Sequence, residues 1–307
     1  MAASICLKSV FARRSLRFIF FVVILVLTAS GYVSRADAEL RVFVSIAPEA
    51  DFVERIAGSG VAVNVLVGPG QNHHTFEPTP KQMADMAGAN VYFSIGLPFE
   101  KRLLEKIRSA NPSLKCVDVS SGVAFRVMEE SEESAEAHGG GEHEHGAVDP
   151  HCWLSPGNAK IIAMNICAAF KDVAPERAPE FERGLVVLLR ALDDCDARVR
   201  AALAPYKGRS FYVYHPAFGY FADAYGLRQI PVELEGKEPT AKQLADLIER
   251  AKKEKVRMIF VQRQFPSKAA EAIAKEVGGA VVPLDPLARD YIANYESMAE
   301  RLGAAFN

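Results

Sequence analysis

The chain has 307 residues, half of them hydrophobic and 24% charged, with a net charge of −2. That is the profile of an ordinary folded globular protein, long enough for one large domain or two lobes. The balanced charge offers no basic face for nucleic acid and argues against such a partner.

The first 38 residues differ in kind from the rest. Lys8, Arg13, Arg14 and Arg17 precede an apolar run over 18–27, and Ala36-Asp37-Ala38 supplies the small residues of a cleavage site. This pattern predicts a secretory signal peptide over 1–38. The apolar run is about half the roughly 20 residues that a membrane-spanning helix needs. Cys6 lies upstream of the run, so no lipid-attachment site follows it, and the mature protein is expected to be soluble in the periplasm. Cys116, Cys152, Cys167 and Cys195 remain after cleavage. Four cysteines allow three full pairings, and the sequence chooses none.

Beyond the signal, strands and helices alternate. Strands are predicted over 40–46, 61–67, 91–95 and 114–119, with helices over 48–57, 81–87 and 100–109 between them. From Val127 to Ala159 there is no Lys or Arg, while glutamates gather around His138, His143 and His145. The part over 129–147 cannot bury enough apolar surface to fold and is predicted to be a disordered loop. Order returns at Asp149, and Ser155-Pro156 forms a good N-cap and first turn for a helix over 156–170. Phe181, Leu185, Leu188, Leu192, Cys195, Val199 and Leu203 then recur in steps of three and four, which predicts one long helix, about 40 Å if some 28 residues are helical. Strand and helix alternate again to the end, with strands over 210–214, 229–232, 257–261 and 280–284. The expected fold is α/β: an N-terminal lobe over 39–173, a linking helix over 174–206 and a C-terminal lobe over 207–307, each lobe Rossmann-like with a mostly parallel sheet.

The seven histidines occupy four places: His73-His74, the trio in the acidic tract, His151 and His215. His74 and His215 follow the carboxyl ends of predicted strands, and so does Asp285. Ligands of open α/β sheets bind at that edge. Three imidazoles and one carboxylate suit Zn²⁺ in a tetrahedral site with bonds of about 2.0–2.2 Å. Four protein ligands would leave no position for an activated water, which favours holding metal over catalysis.

The blocks His73-His74-Thr75-Phe76-Glu77-Pro78-Thr79-Pro80, Asp149-Pro150-His151-Cys152-Trp153-Leu154, His215-Pro216-Ala217-Phe218-Gly219-Tyr220 and Leu284-Asp285-Pro286-Leu287 resemble those of the periplasmic metal-binding subunits of bacterial ABC importers, in the zinc-uptake ZnuA branch. The resemblance covers the chain from about Arg41 to its end. It implies two lobes bridged by a rigid helix, with the metal in the cleft between them. It further implies His74, His151 and His215 as ligands with Asp285 as the fourth, His74 rather than His73 being chosen by the Thr-Phe-Glu-Pro run that follows it. Glu77 is expected to orient a ligand or its loop. Members selective for manganese carry Glu where His215 stands, and a His-rich acidic insertion is typical of the zinc branch, so His138, His143 and His145 are candidates for low-affinity zinc collection. Glu235 and Glu238 fall in a segment expected to lead into a helix. Gln262 stands where relatives commonly have Glu.

The function implied is high-affinity capture of Zn²⁺ as cargo by a monomeric, non-enzymatic carrier. It would deliver the ion to an inner-membrane permease driven by a cytoplasmic ATPase. A manganese or iron carrier is the alternative, and a secreted zinc hydrolase a more distant one, without a His-Glu-x-x-His or Gly-x-Ser-x-Gly signature to support it. Imidazoles bind metal only when neutral, so affinity is expected to fall as the pH drops toward and below about 6.

Overall fold

Short β-branched and aromatic runs flanked by turn residues become eight strands, all paired in parallel, in two sheets of four among the described residues. The computed structural model describes residues 39–128, 148–234 and 236–307. The expected signal peptide over 1–38, the acidic tract over 129–147 with His138, His143 and His145, and Glu235 lie outside the described residues. The first sheet holds β1 (Leu40–Val44), β2 (Val61–Val65), β3 (Val91–Ser94) and β4 (Lys115–Asp118) in the order β2-β1-β3-β4. The second repeats it with β5 (Ser210–Val213), β6 (Arg228–Pro231), β7 (Met258–Val261) and β8 (Ala280–Pro283) in the order β6-β5-β7-β8. In each sheet the chain steps to one side of its first strand and then to the other, which opens a crevice at the carboxyl ends of the two central strands. The crevices lie between β1 and β3 and between β5 and β7.

The first sheet is accompanied by helices α1 (Ala47–Ala57), α2 (Pro80–Met86), α3 (Glu100–Ala110) and α4 (Pro156–Val173), and the second by α6 (Gly219–Tyr225), α7 (Ala241–Lys253), α8 (Lys268–Glu276) and α9 (Tyr291–Phe306). Their starts follow side-chain chemistry. Thr79 and Thr240 accept the backbone N–H groups of Gln82 and Gln243, whose side chains reach back to the threonines, and Ser155 accepts Asn158 N–H ahead of Pro156. Each such cap contributes about 1 kcal/mol.

The long helix is α5, Ala178–Leu203, 26 residues and about 39 Å. Its apolar seam of Phe181, Leu188, Leu192, Cys195, Val199 and Leu203 is buried, with Leu185 half-buried. The seam is spent within the chain, against α1 and α4 of the first half and α9 of the second. One apolar core therefore runs through both halves, taking in Val42, Phe93, Trp153, Leu192, Phe221, Phe260 and Tyr295. A smaller cluster around Tyr212, Ile230, Ile259 and Ile273 belongs to the second sheet alone. Polar links cross the halves as well: Trp153 Nε1–H donates to the Pro286 carbonyl (2.8 Å), and the Tyr291 and Tyr295 hydroxyls donate to the Trp153 and Leu154 carbonyls (2.7 and 2.9 Å). Cys116, Cys152, Cys167 and Cys195 are free thiols, all but Cys116 buried, so they serve here as small apolar side chains.

At the first crevice sits a buried acid pair. Glu100 accepts the backbone N–H groups of Ile95, Gly96 and Leu97 and the Ser45 hydroxyl, whose oxygen also lies 2.7 Å from the Tyr92 hydroxyl. Glu49 accepts Ser45 N–H and Ile46 N–H, while its Oε1 is buried without a partner. Burial pushes Glu100 up to about 7 against those donors, and burial together with the Glu100 charge pushes Glu49 well above its ordinary range.

Two predictions follow from this packing. Gly184 lies where a Cβ would run into the Ile56 carbonyl oxygen and come within 2.8 Å of that of Arg55, both backbone atoms at the end of α1. Gly184→Ala should therefore lower stability by about 1–3 kcal/mol in chemical denaturation, although it raises helix propensity; an unchanged midpoint would show that α5 and α1 separate freely. The second concerns Glu100. Its folded-state pKa is raised, so the folded protein holds a proton that the unfolded chain has released. That stabilisation is complete below about pH 4.5 and is lost as the pH rises through about 7, an effect on the order of 3 kcal/mol. Measured as the stability difference between parent and Glu100→Gln, in which the titrations of groups outside the Glu49–Glu100 pair cancel, the parent's advantage should shrink from pH 5 to pH 8; a difference that grows over that range would assign the proton elsewhere.

Candidate metal centre

The segment between β2 and α2 carries the first two histidines across the sheet edge, and backbone geometry fixes it. Leu66 and Val67 N–H donate to the Val44 and Ser45 carbonyls, extending the β1 ladder, and Gln82 Nε2 donates to the Leu66 carbonyl. His74 N–H then donates to Asn72 Oδ1 (2.8 Å). His73 is fully buried and His74 partly so. His151 follows Asp149-Pro150 and opens the short turn Cys152–Leu154 ahead of α4. His215 leaves β5 at the second crevice. There Gln262, just beyond β7, clamps its backbone twice: Gln262 Oε1 accepts His215 N–H (3.2 Å) and Gln262 Nε2 donates to the His215 carbonyl (2.7 Å). Only an amide both donates and accepts in this way; a glutamate there would meet the His215 carbonyl with a second acceptor.

His73, His74, His151 and His215 come together with one nitrogen each, all within 4.8 Å of one another. The Nε2 atoms of His74 and His215 are 2.9 Å apart, those of His73 and His151 3.0 Å, and those of His151 and His215 3.3 Å. Nitrogens bound at about 2.0 Å around a tetrahedral ion are separated by roughly 3.3 Å. The cluster already has nearly the size of a zinc coordination shell.

Two carboxylates decide which nitrogens face inward. His151 Nδ1–H donates to Asp149 Oδ1 (2.7 Å), and His215 Nδ1–H donates to Glu233 Oε1 (2.5 Å). A carboxylate only accepts, so each ring keeps its proton on Nδ1 and presents a bare lone pair at Nε2. The two lone pairs then face each other across 3.3 Å, each with a further imidazole nitrogen beside it, so that an N–H of His73 or His74, or a cation, can answer them. Protons supply that cation poorly. Burial, reinforced by the neighbouring imidazoles, holds His73 and His151 well below the usual histidine range, and burial with the His215 charge brings His74 to about 4. Aromatic walls complete the enclosure: Phe265 stacks on His215 at 4.3 Å between centroids, and the Trp153 ring stands against His151 at 5.4 Å.

Of the residues singled out in the sequence, His74, His151 and His215 converge and Asp285 does not join them. The Asp285 carboxylate instead accepts Leu287 N–H (2.8 Å) in a local turn, and the fourth nitrogen in the group comes from His73. Glu77 is exposed, and no hydrogen bond joins it to a histidine among the described contacts. The orienting carboxylates are Asp149 and Glu233. Asp149 was visible two residues before His151. Glu233 follows the end of β6 as His215 follows that of β5, and the strand-end rule that found one histidine would have found this glutamate too.

Comparison with known proteins identifies the family. Residues 42–305 match the family "Zinc-uptake complex component A periplasmic" (ZnuA). The chain is 31% identical over 261 residues to the high-affinity zinc uptake system protein ZnuA of Bacillus subtilis, covering 83% of this chain and 80% of that protein. It is 28% identical over 268 residues to the zinc-binding lipoprotein AdcA of Streptococcus pneumoniae, where 86% of this chain spans only 53% of the relative; it thus covers about half the length of such relatives. Among solved structures, a ZnuA crystal structure superposes with a TM-score of 0.79 at 37% identity over 87% of this chain and 99% of that one. A zinc-bound ZnuA deletion mutant does so with a TM-score of 0.78 at 37% identity over 87% and 97%. With two like-ordered parallel sheets, a bridging helix and a family match over nearly all the described residues, the chain belongs to the periplasmic zinc-uptake component A family, ZnuA.

Proposed function

We propose that this protein captures one Zn²⁺ as cargo in the periplasm and delivers it to an inner-membrane ABC permease with a cytoplasmic ATPase. The observation that carries the reading is the convergence of four imidazole nitrogens within 4.8 Å of one another, with Asp149 and Glu233 turning two of the Nε2 lone pairs inward. Four nitrogen donors favour zinc over manganese, which prefers more oxygen. They also fill a tetrahedron and leave no open position for an activated water, which supports carriage rather than hydrolysis. A single chain supplies all four imidazoles, so a monomer suffices. The family's periplasmic description supports export directed by residues 1–38, and among the described residues no helix is long and apolar enough to cross a membrane. The tract over 129–147 is held at its roots by a bridge between Val127 and Val148, three residues before His151. That tether supports a part for His138, His143 and His145 in gathering zinc weakly near the cleft.

Ligand substitution tests the site. His74→Ala, His151→Ala and His215→Ala should each weaken zinc, measured against a competing chromophoric chelator, by more than the roughly 10–100-fold that loss of a ligand's orienting partner costs. His73→Ala and Asp285→Ala separate the two candidates for the fourth position: His73→Ala should weaken zinc at least roughly tenfold and Asp285→Ala by less than about threefold. The reverse order would restore the carboxylate to the ligand set.

The pH profile tests the burial. Sequence alone placed the loss of affinity near pH 6, where a free imidazole protonates. With His74 held to about 4 and His73 and His151 also lowered by burial, protons compete with the metal at these ligands only at lower pH. Zinc affinity should therefore fall less between pH 7.5 and 6 than three free imidazoles would make it, and most steeply toward pH 4. A midpoint at the free-imidazole value in calorimetric titrations would mean that these rings are solvated in the apo protein.

A further inference from the structure

We infer that Arg126 is a positioning residue of the metal centre, fixing the orientation of His151 through Asp149 and tying that ligand to the second half of the fold. The inference rests on the zinc reading above and extends it to a residue remote from the ion. Asp149 is fully buried, and one of its oxygens, Oδ1, is taken up by His151, accepting both the ring Nδ1–H and the backbone N–H. The other, Oδ2, accepts Arg126 Nη1–H at 3.0 Å. The same guanidinium donates through Nε to Asp223 Oδ2 on α6, also at 3.0 Å.

The guanidinium has a prepared seat. Its floor is Gly219, the first residue of α6: a Cβ there would overlap the guanidinium and lie 3.0 Å from Asp149 Oδ2. Beside it is the Tyr220 ring, whose centroid is 5.9 Å from the guanidinium carbon. The Tyr220 hydroxyl accepts Arg126 N–H and donates to the Asp149 carbonyl, both at 2.9 Å. Two consecutive residues of the second half thus hold the main chain and side chain of Arg126 and the main chain of Asp149.

The two ion pairs differ in weight. Asp223 is 59% exposed, so its attraction to Arg126 is largely screened. Asp149 is at 0% and Arg126 at 15%, and a buried carboxylate stripped of its cation partner is strongly disfavoured. Arg126 therefore keeps Asp149 in place and accepting. Asp149 in turn holds the His151 ring with Nε2 aimed at the other three imidazoles. A ligand ring held by an orienting partner loses metal affinity when that partner goes, by about 10–100-fold, and a residue acting one step further back is expected to cost roughly tenfold.

The decisive experiment is a double-mutant cycle on the purified protein, with zinc affinity read by chelator competition and folding by circular dichroism. Arg126→Gln should weaken zinc roughly tenfold in the parent and by less than about twofold when Asp149→Asn is already present, because the path through Asp149 is then cut. Gly219→Ala, which crowds the guanidinium from its seat while leaving every charged residue in place, should show the same loss and the same disappearance of that loss. It decides the matter should Arg126→Gln fail to fold. A change of less than about twofold in the parent, or losses that multiply fully with Asp149→Asn, would overturn the inference, since a general structural role has no reason to vanish in that background. His151→Ala separates the two readings: if it keeps the parent's affinity, the zinc site itself is wrong. If it loses zinc while Arg126→Gln and Gly219→Ala do not, only the role of Arg126 fails.

Discussion

The Nε2 lone pairs of His151 and His215 are turned toward a common centre that nitrogens of His73 and His74 share. Asp149 and Glu233 keep those two rings from flipping to turn an N–H inward, because each holds an Nδ1–H where only an acceptor is available. Burial disfavours protonation of His73, His74 and His151. A divalent ion with a preference for nitrogen suits such a set.

The rest of the molecule supplies the rigidity that holds these rings together. Each sheet reverses direction about its first strand, so the carboxyl ends of the central strands open a crevice, and the cluster draws on both. His215 stands at the second crevice with its backbone clamped by Gln262. His73 and His74 ride on a segment locked to the end of β1. His151 belongs to neither sheet; it is placed by the turn before α4, by Trp153, and by links to the C-terminal helix and to α6. A core continuous across both halves, backed by α5, makes large relative motion of the halves costly. Local adjustment around the histidines is the less costly motion.

The buried acids at the first crevice have a different task. Glu100 gathers three backbone N–H groups at the turn after β3, and Glu49 gathers two after β1. Strand ends that open a crevice leave such donors unpaired, and a carboxyl group pairs several at once. Burial raises the proton affinity of both acids, and the Glu100 charge adds to that of Glu49. No such pair is required at the second crevice, where Gln262 meets the His215 backbone without charge.

Much of this was legible in the sequence, because the information is periodic or local. Short apolar, β-branched runs located all eight described strands to within about two residues, and the repeat in steps of three and four located the bridging helix to within about four, since each element must bury apolar surface whatever its partners. Ser155 announced a helix start because capping is settled within four residues; Thr79 and Thr240 cap theirs by the same local chemistry. His151 and His215, together with the His73-His74 pair, were visible as histidines at strand ends and helix starts. The membership of the cluster was decided only in three dimensions. His73 and His74 are adjacent, and which of them turns toward the other rings depends on the path of a loop; in this fold both do. Asp285 follows a strand as His215 does, yet its Oδ1 accepts a backbone N–H of its own turn and it lies outside the histidine group. Asp149, Glu233 and Arg126 act through atoms of residues brought beside them by folding, and the lowered proton affinity of the histidines is a property of the enclosure. Sequence determined which chemistry was available, because residue type and period are local; tertiary structure decided which atoms meet, because that depends on burial and on distances between segments far apart in the chain.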